Sequence, residues 1–349
     1  MGDDETPEAD ILAQSVADQS FVPAPTTAFS YRQTARRLAN RYLRKPDAER
    51  GPEPLGVNPA GFIIWLANMR MEWARNTWRQ NKSAVVFVFS EAGLIEDAKA
   101  LKAIGSEGTK RKGTRTSATK RKGFPARDRD RISRWLEARD TSAAHELILW
   151  IRATVATGLR PCEWANATFA ITPEGSPQLV VVNAKATNGR AHGPTRTINM
   201  ASYPEDVVQD VQAHSNHCRA VASAGEEAFY HFYTAMRRLM AEASRALWPR
   251  RDRHYTLYSL RHQFAANVKQ GIVSESDEDT RSTVGALMGH ATDDTAGFHY
   301  ARAAQADSGP RQLVPDAAPE EVARVRRVAR SRPADPGMAP AGPSHGPSG

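Results

Sequence analysis

Apolar positions recur at helical spacing through most of this chain and alternate over only one short stretch. In PAGFIIWLANMRMEWARNTW, Phe62, Leu66, Met69 and Trp73 fall at i, i+4, i+7 and i+11, which lines one helix face and predicts an amphipathic seam. WRQNKSAVVFVFSEAG continues the helical register, although its β-branched run keeps a strand open as the competing reading. These patterns predict a small all-helical domain over 28–104. Helical patterning resumes at 126 with DRDRISRWLEARD, whose first-turn acids suit a helix N-terminus. SAAHELILWIRATVATG follows as an apolar helix that Gly158 closes as a C-cap. PEDVVQDVQAHSNH, EEAFYHFYTAMRRLMAEASRALW, SLRHQFAANVKQ and DEDTRSTVGALMGH add further helices. QLVVVNAK and GPTRTINM read instead as two strands joined by an Asn-Gly-containing loop, a hairpin. The domain over 126–303 is therefore expected to be α+β and mainly α, with one small sheet.

The remaining segments have the composition of linkers and tails. Residues 1–27 are acidic and then Pro- and Thr-rich, so disorder is expected there. Glycines 105, 108, 113 and 123 break any regular element over 105–125, an interdomain linker. Residues 304–349 turn Ala-, Pro- and Gly-rich and are expected to be disordered around one helical island, PEEVARVRRVARSR, at 319–332. That island places Val322, Val325 and Val328 on one side, an apolar stripe that needs a surface. Its own domain and a neighbouring copy of the chain are both open as that surface. No run approaches the roughly eighteen apolar residues of a membrane span. The start, MGDDETPEAD, carries no charged-then-apolar leader, so secretion is not expected. Two cysteines, Cys162 and Cys218, make no disulfide framework and suit a reducing cytoplasm.

Charge narrows the choice of partner. The 349 residues carry a net charge of +8 with a pI near 9.6, which favours a polyanion, nucleic acid ahead of a membrane surface. The distribution says more than the total. TKRKGTRTSATKRK holds Lys110, Arg111, Lys112, Arg115, Lys120, Arg121 and Lys122 with no acid among them. Such a segment can be a solvated loop, or it can follow phosphates from between two domains.

Candidate chemistry concentrates after residue 150. Arg160 sits in a turn past a helix cap, with Glu163 three positions on; Lys185 lies near the hairpin tip. Arg261 and His262 open a helix whose other face is apolar, and the stretch LMGHATDDTAGFHYAR holds Gly289, His290 and Tyr300. Each has a plain structural reading: an Arg160–Glu163 peg, a solvated hairpin lysine, a capping arginine, a core histidine, a packing tyrosine. Their order along the chain is what gives them weight. His214, His217 and Cys218 could mimic a zinc site, but no second ligand pair accompanies them. The Lys/Arg-rich linker lacks the glycine spacing and strand context of a phosphate-binding loop. Asp293 and Asp294 read as acids at a helix start.

TGLRPCE, NAKATNGR, LRHQFAA and LMGH followed by a tyrosine together resemble the tyrosine recombinase (phage integrase) family over roughly 28–303. The resemblance implies a helical core-binding domain that binds DNA, a basic linker and a catalytic domain with a small antiparallel sheet. Arg160, Lys185, Arg261, His290 and Tyr300 would be catalytic, with Glu163, His262 and Gly289 in support. The family commonly has histidine three positions before the second arginine; Tyr258 stands there in this chain. A phenol can donate a hydrogen bond but does not become a cation near neutral pH.

Such an enzyme breaks a DNA strand by attack of the tyrosine oxygen on the scissile phosphorus, forming a 3′-phosphotyrosyl link and freeing a 5′-hydroxyl. Two guanidiniums, Arg160 and Arg261, would hold the non-bridging oxygens, with His290 adding a hydrogen bond. Lys185 would protonate the leaving oxygen, and Tyr300 would be the nucleophile. Glu163 would orient the arginines and partly neutralise them. The covalent link conserves the phosphodiester energy, so the scheme asks for neither ATP nor a metal. The implied partners are double-stranded recombination sites and, on DNA, a homotetramer; the implied setting is the nucleoid of a bacterium carrying a prophage or mobile element. Two rivals are a relative that binds DNA without cutting it and a topoisomerase-like nicking-closing enzyme.

Overall fold

The computed structural model describes residues 25–110, 121–184, 186, 191–272, 277–293, 306–307 and 314–326. Lys185, Tyr300 and the linker cations Arg111, Lys112, Arg115 and Lys120 lie outside the described residues. The chain divides into two units, residues 1–115 and 116–349.

The first unit packs α1 (Pro25–Tyr42), α2 (Pro59–Met69), α3 (Arg75–Glu91) and α4 (Ile95–Ala103) around one apolar core. Asn58 starts α2 by accepting a hydrogen bond from the Gly61 N–H at 3.1 Å, ahead of a proline at the first helical position. The seam then departs from the expected one. Phe62 and Leu66 are fully buried as predicted, but α2 ends at Met69, a 3₁₀ turn covers Arg70–Glu72, and Trp73 is extended. The break lets a new helix begin and aims Trp78 inward, where its indole N–H donates to the Gly105 carbonyl at 2.8 Å. The β-branched run is helical. Ala84, Val85, Val88 and Phe89 are its buried positions, a spacing that only a helix can bring to one face.

The second unit begins with α5 (Ala126–Glu137) and α6 (Ser142–Thr157). Thr141 caps α6 by accepting from the Ala144 N–H, and Gly158 ends it with φ +68°. A 3₁₀ turn (Pro161–Asn166) leads into β1 (Thr168–Ile171), β2 (Pro177–Val182) and β3 (Thr195–Asn199). Then come α7 (Glu205–Ser223), α8 (Glu226–Leu247), α9 (Leu257–Gly271), α10 (Asp277–Leu287), β4 (Asp316–Ala317) and α11 (Pro319–Arg324). The sheet is antiparallel in the order β1-β2-β3-β4. The predicted hairpin is its centre; β1 and β4 have no counterpart in the sequence reading. Helix α6 is deeply enclosed, with Leu147, Trp150, Ala153 and Thr154 fully buried among α7, α8 and α9.

Residues 314–326 lie on this same unit. β4 pairs with β3, Glu321 Oε1 accepts from the Thr197 N–H at 2.7 Å, and Val325 is buried against Gly285. His214 fills the core between Trp150 and Trp164, and burial pushes its imidazole down to about 3. Among the described residues no group of acids, histidines and cysteines could hold a metal ion, and no helix is long and apolar enough to cross a membrane.

Gly158 gives a direct test of the packing around α6. A Cβ there would lie 2.2 Å from the Phe264 ring, in a left-handed conformation that costs an L residue about 1–2 kcal/mol. Adding the overpacking cost, Gly158→Ala is expected to lower unfolding free energy by about 2–4 kcal/mol in urea denaturation. A loss below about 0.5 kcal/mol would contradict the contact.

Candidate active site

One carboxylate organises the polar cluster of the second unit. Glu163 sits at the third position of the 3₁₀ turn that follows Gly158, and its side chain folds back on the start of that turn. Oε2 accepts from the Arg160 main-chain N–H at 2.8 Å, and Oε1 accepts from Arg160 Nη1 at 2.5 Å. The i, i+3 pair read from the sequence is thus a buried salt bridge and, through the Glu163 carboxylate on the Arg160 main-chain N–H, one half of a capping box. Arg196, from β3, donates through Nη2 to Oε2 at 2.8 Å, and Arg261 Nη1 lies 3.7 Å from the same oxygen.

The three guanidiniums do different work. Arg261 is fully buried near the start of α9, with Nη1 donating to the Gly158 carbonyl and Nη2 to the Met288 carbonyl, each at 2.5 Å. It therefore ties the C-cap of α6 to the end of α10. Arg196 donates through Nε to the Leu287 carbonyl at 2.9 Å and through Nη1 to Asn183 Oδ1 at 2.5 Å. Arg160 makes fewer contacts. Its side chain is 7% exposed, and its Nε is buried with no hydrogen-bond partner among the described residues. An unfilled guanidinium donor in a buried site costs free energy unless an acceptor arrives.

His290 joins the cluster through Arg261, whose Nη2 lies 3.2 Å from Nε2. An arginine only donates, so Nε2 is the acceptor and the second ring nitrogen carries the proton. Burial, and then the neighbouring Arg261, Arg160 and Arg196, holds the imidazole well below its ordinary value, so the ring is neutral near pH 7. The same cations hold Glu163 ionised far below the usual carboxylate range against the opposing effect of burial. Among the described residues, three guanidiniums against one carboxylate leave a surplus of two positive charges in a buried volume (3 − 1 = 2).

Gly289 has φ +63°, and a Cβ on it would lie 2.3 Å from Asn183 Oδ1 and 2.8 Å from Arg196 Nη1. What approaches Gly289 is the Asn183–Arg196 pair. Tyr258 and His262, one turn apart on α9, are half-buried and meet edge to face at 5.7 Å. Arg121 lies with its guanidinium 5.3 Å from the centre of the Tyr255 ring, while Lys110 and Lys122 are exposed. The structure thus gathers Arg160, Glu163, Arg261, His290 and Gly289, with Arg196 and Asn183 added. The sequence reading missed both. The available signal was Arg196 itself, a charge in phase with Ile198 on the inward face of a strand. A separate cavity of about 560 Å³ opens between α5, α6 and α7. Its arginines have acids at hand, such as Arg152 with Asp210 at 3.5 Å, and the Glu163 cluster does not line it.

Removing the Glu163 charge strands Arg196 and Arg261 in the interior. Glu163→Gln is expected to lower unfolding free energy by about 3–5 kcal/mol at pH 7. Because the folded-state carboxyl titrates below its ordinary value of 4.5, its stabilisation is complete above that value and is lost as pH falls beneath it. The variant should accordingly show a shallower acid limb of stability between about pH 5 and 3. Equal acid limbs for both proteins, measured by urea melts across that range, would contradict the assignment.

No protein-family model matches the chain, and no curated protein matches it. Among solved structures, the chain is similar to a lambda integrase dimer bound to a COC′ core site, with 16% identity, a TM-score of 0.44, and 82% of this chain and 74% of that one covered. It is also similar to the Tn1549 transposon integrase in complex with a circular intermediate DNA, with 13% identity, a TM-score of 0.40, and 84% and 94% covered.

Proposed function

We propose that this chain is a site-specific tyrosine recombinase that cuts and rejoins double-stranded DNA through a 3′-phosphotyrosyl intermediate. The observation that carries this reading is the buried surplus of positive charge around Glu163, with the Nε donor of Arg160 awaiting an acceptor. A phosphodiester brings such an acceptor and one compensating charge. Attack by the Tyr300 oxygen on phosphorus adds negative charge to the non-bridging oxygens, where guanidinium donors stabilise the transition state more than the ground state. The phenol proton leaves Tyr300, the phosphorus–O5′ bond breaks, and Lys185 protonates the departing oxygen. Attack by a 5′-hydroxyl on the phosphotyrosine reverses the sequence and restores the phenol, so neither ATP nor a metal enters the cycle. Neutral His290 accepts from Arg261 and steadies that guanidinium as charge develops.

The helical unit before the linker, over 28–104, serves in this reading as the core-binding domain, and 126–303 as the catalytic domain. The basic segment between them follows phosphates. A homotetramer assembles on paired sites in the cytoplasm of a bacterium, in service of a mobile element or prophage. Tyr258, where a histidine is common, is the residue that favours the non-cleaving alternative.

Nicked duplexes of randomised sequence separate these readings. The wild-type chain is expected to form a detergent-resistant covalent adduct that Tyr300→Phe abolishes and Arg160→Ala slows by about 100-fold or more. Binding without any adduct would favour the non-cleaving relative, and nicking-closing without exchange between duplexes the topoisomerase-like enzyme. If about six linker cations meet phosphates, log affinity should fall with log salt at a slope near −5. Neutralising Lys110, Arg111, Lys112 and Arg115 should flatten that slope by about 3–4.

A further inference from the structure

Arg196 is an arginine where a strand wants an apolar side chain. Along β3 the burial alternates, and Arg196 shares the inward face with Ile198 while Thr195 and Asn199 face outward. It is 1% exposed and lies opposite Val181 in the register of β2. Burial lowers the tendency of this guanidinium to hold its proton, and the adjacent Glu163 carboxylate opposes that effect. Arginine is almost never buried to this degree unless every donor has a task. Here the tasks converge: Glu163 Oε2 at 2.8 Å, Asn183 Oδ1 at 2.5 Å and the Leu287 carbonyl at 2.9 Å.

These three acceptors belong to three different parts of the site. Glu163 is the partner of Arg160 and lies beside Arg261. Leu287 ends α10 immediately before the Gly289–His290 turn. Asn183 stands at the base of the hairpin, where its N–H donates to the Pro194 carbonyl at 2.8 Å and its Nδ2 to the Gly193 carbonyl at 2.9 Å. One planar fork therefore sets the distance between the turn carrying Arg160, the hairpin base and the turn carrying His290. It also occupies Oε2 of the carboxylate. Without it Glu163 Oε2 would keep only the Arg160 main-chain N–H and could draw in further side-chain donors of Arg160 or Arg261, and the positive surplus would fall from two charges to one (2 − 1 = 1).

We infer that Arg196 is a positioning residue of this site: it holds Glu163 so that Arg160 keeps a donor for a phosphate oxygen, and it fixes the hairpin base to the same carboxylate. The identity of the bound group as a DNA phosphate rests on the strand-transfer reading; the positioning role concerns any phosphate-like anion. Arg196 does not touch the substrate in this assignment. Its influence passes through Glu163 and Asn183.

The test uses the full chain and inorganic phosphate as the probe, with binding followed through the side-chain NMR signal of Arg160 Nε. Arg196→Met removes the fork and keeps an unbranched apolar stem of similar reach. It is expected to weaken phosphate binding about tenfold, and Arg196→Lys, which keeps charge without the planar fork, by a smaller factor. Adding Glu163→Gln to Arg196→Met removes the charge that would otherwise capture Arg160, so the double variant should regain most of the lost affinity. A residue needed only for folding would give no such recovery. Wild-type phosphate affinity in folded Arg196→Met, or no regain in the double variant, overturns the inference. Should Arg196→Met fail to fold, Arg196→Lys decides: weaker phosphate binding at an unchanged melting temperature supports the role, and wild-type binding overturns it. An absence of DNA adduct with the wild-type chain sinks the strand-transfer reading and leaves the phosphate comparison to stand or fall by itself.

Discussion

A single ionised carboxylate, enclosed by guanidiniums from a turn, a strand and a helix, holds the second unit's site together. Glu163 could not remain charged in that volume alone, since desolvation of an isolated ion is far costlier than its protonation. The arginines could not remain there without it. Each charge is the condition for the others, and the elements that carry them are brought into one place as a result. The 3₁₀ turn, β3, the start of α9 and the end of α10 meet through hydrogen bonds made by Glu163 and by the Arg196 and Arg261 guanidiniums beside it.

The cluster divides structural from receptive work among chemically identical side chains. Arg261 spends its terminal nitrogens on main-chain carbonyls, which fixes the C-cap of α6 against the turn before His290. Arg160 keeps a buried nitrogen unfilled among the described residues. An anion entering such a site meets donors that are already oriented, in a medium of low dielectric, so little reorganisation is required when charge develops. The neutrality of His290 follows first from its burial and then from the same field: a second cation beside Arg261 would be repelled, and the ring contributes as an acceptor.

Much of this arrangement was legible in the sequence because it is local. The Gly158 cap, the Arg160–Glu163 pair, the hairpin and the helix opened by Arg261 each follow from residues within a few positions of one another. The apolar seam of α2 was legible only as far as Met69, since periodicity continues through a break that depends on where Trp78 finds its acceptor. β1 and β4 are too short, at four and two residues, for alternation to register. Arg196 and Asn183 escaped for a different reason. Their roles depend on contacts across the fold, from β3 to the end of α10 and across the hairpin base, and spacing along the chain carries no trace of such contacts.

Gly289 lies against both halves of that long-range joint. Its missing side chain leaves the space in which Asn183 and Arg196 meet, so three positions far apart in sequence share one small volume. Substitution at any of them alone meets either a clash or an abandoned hydrogen bond. Drift along a lineage would therefore have to move through the three together, and these positions should covary as a set.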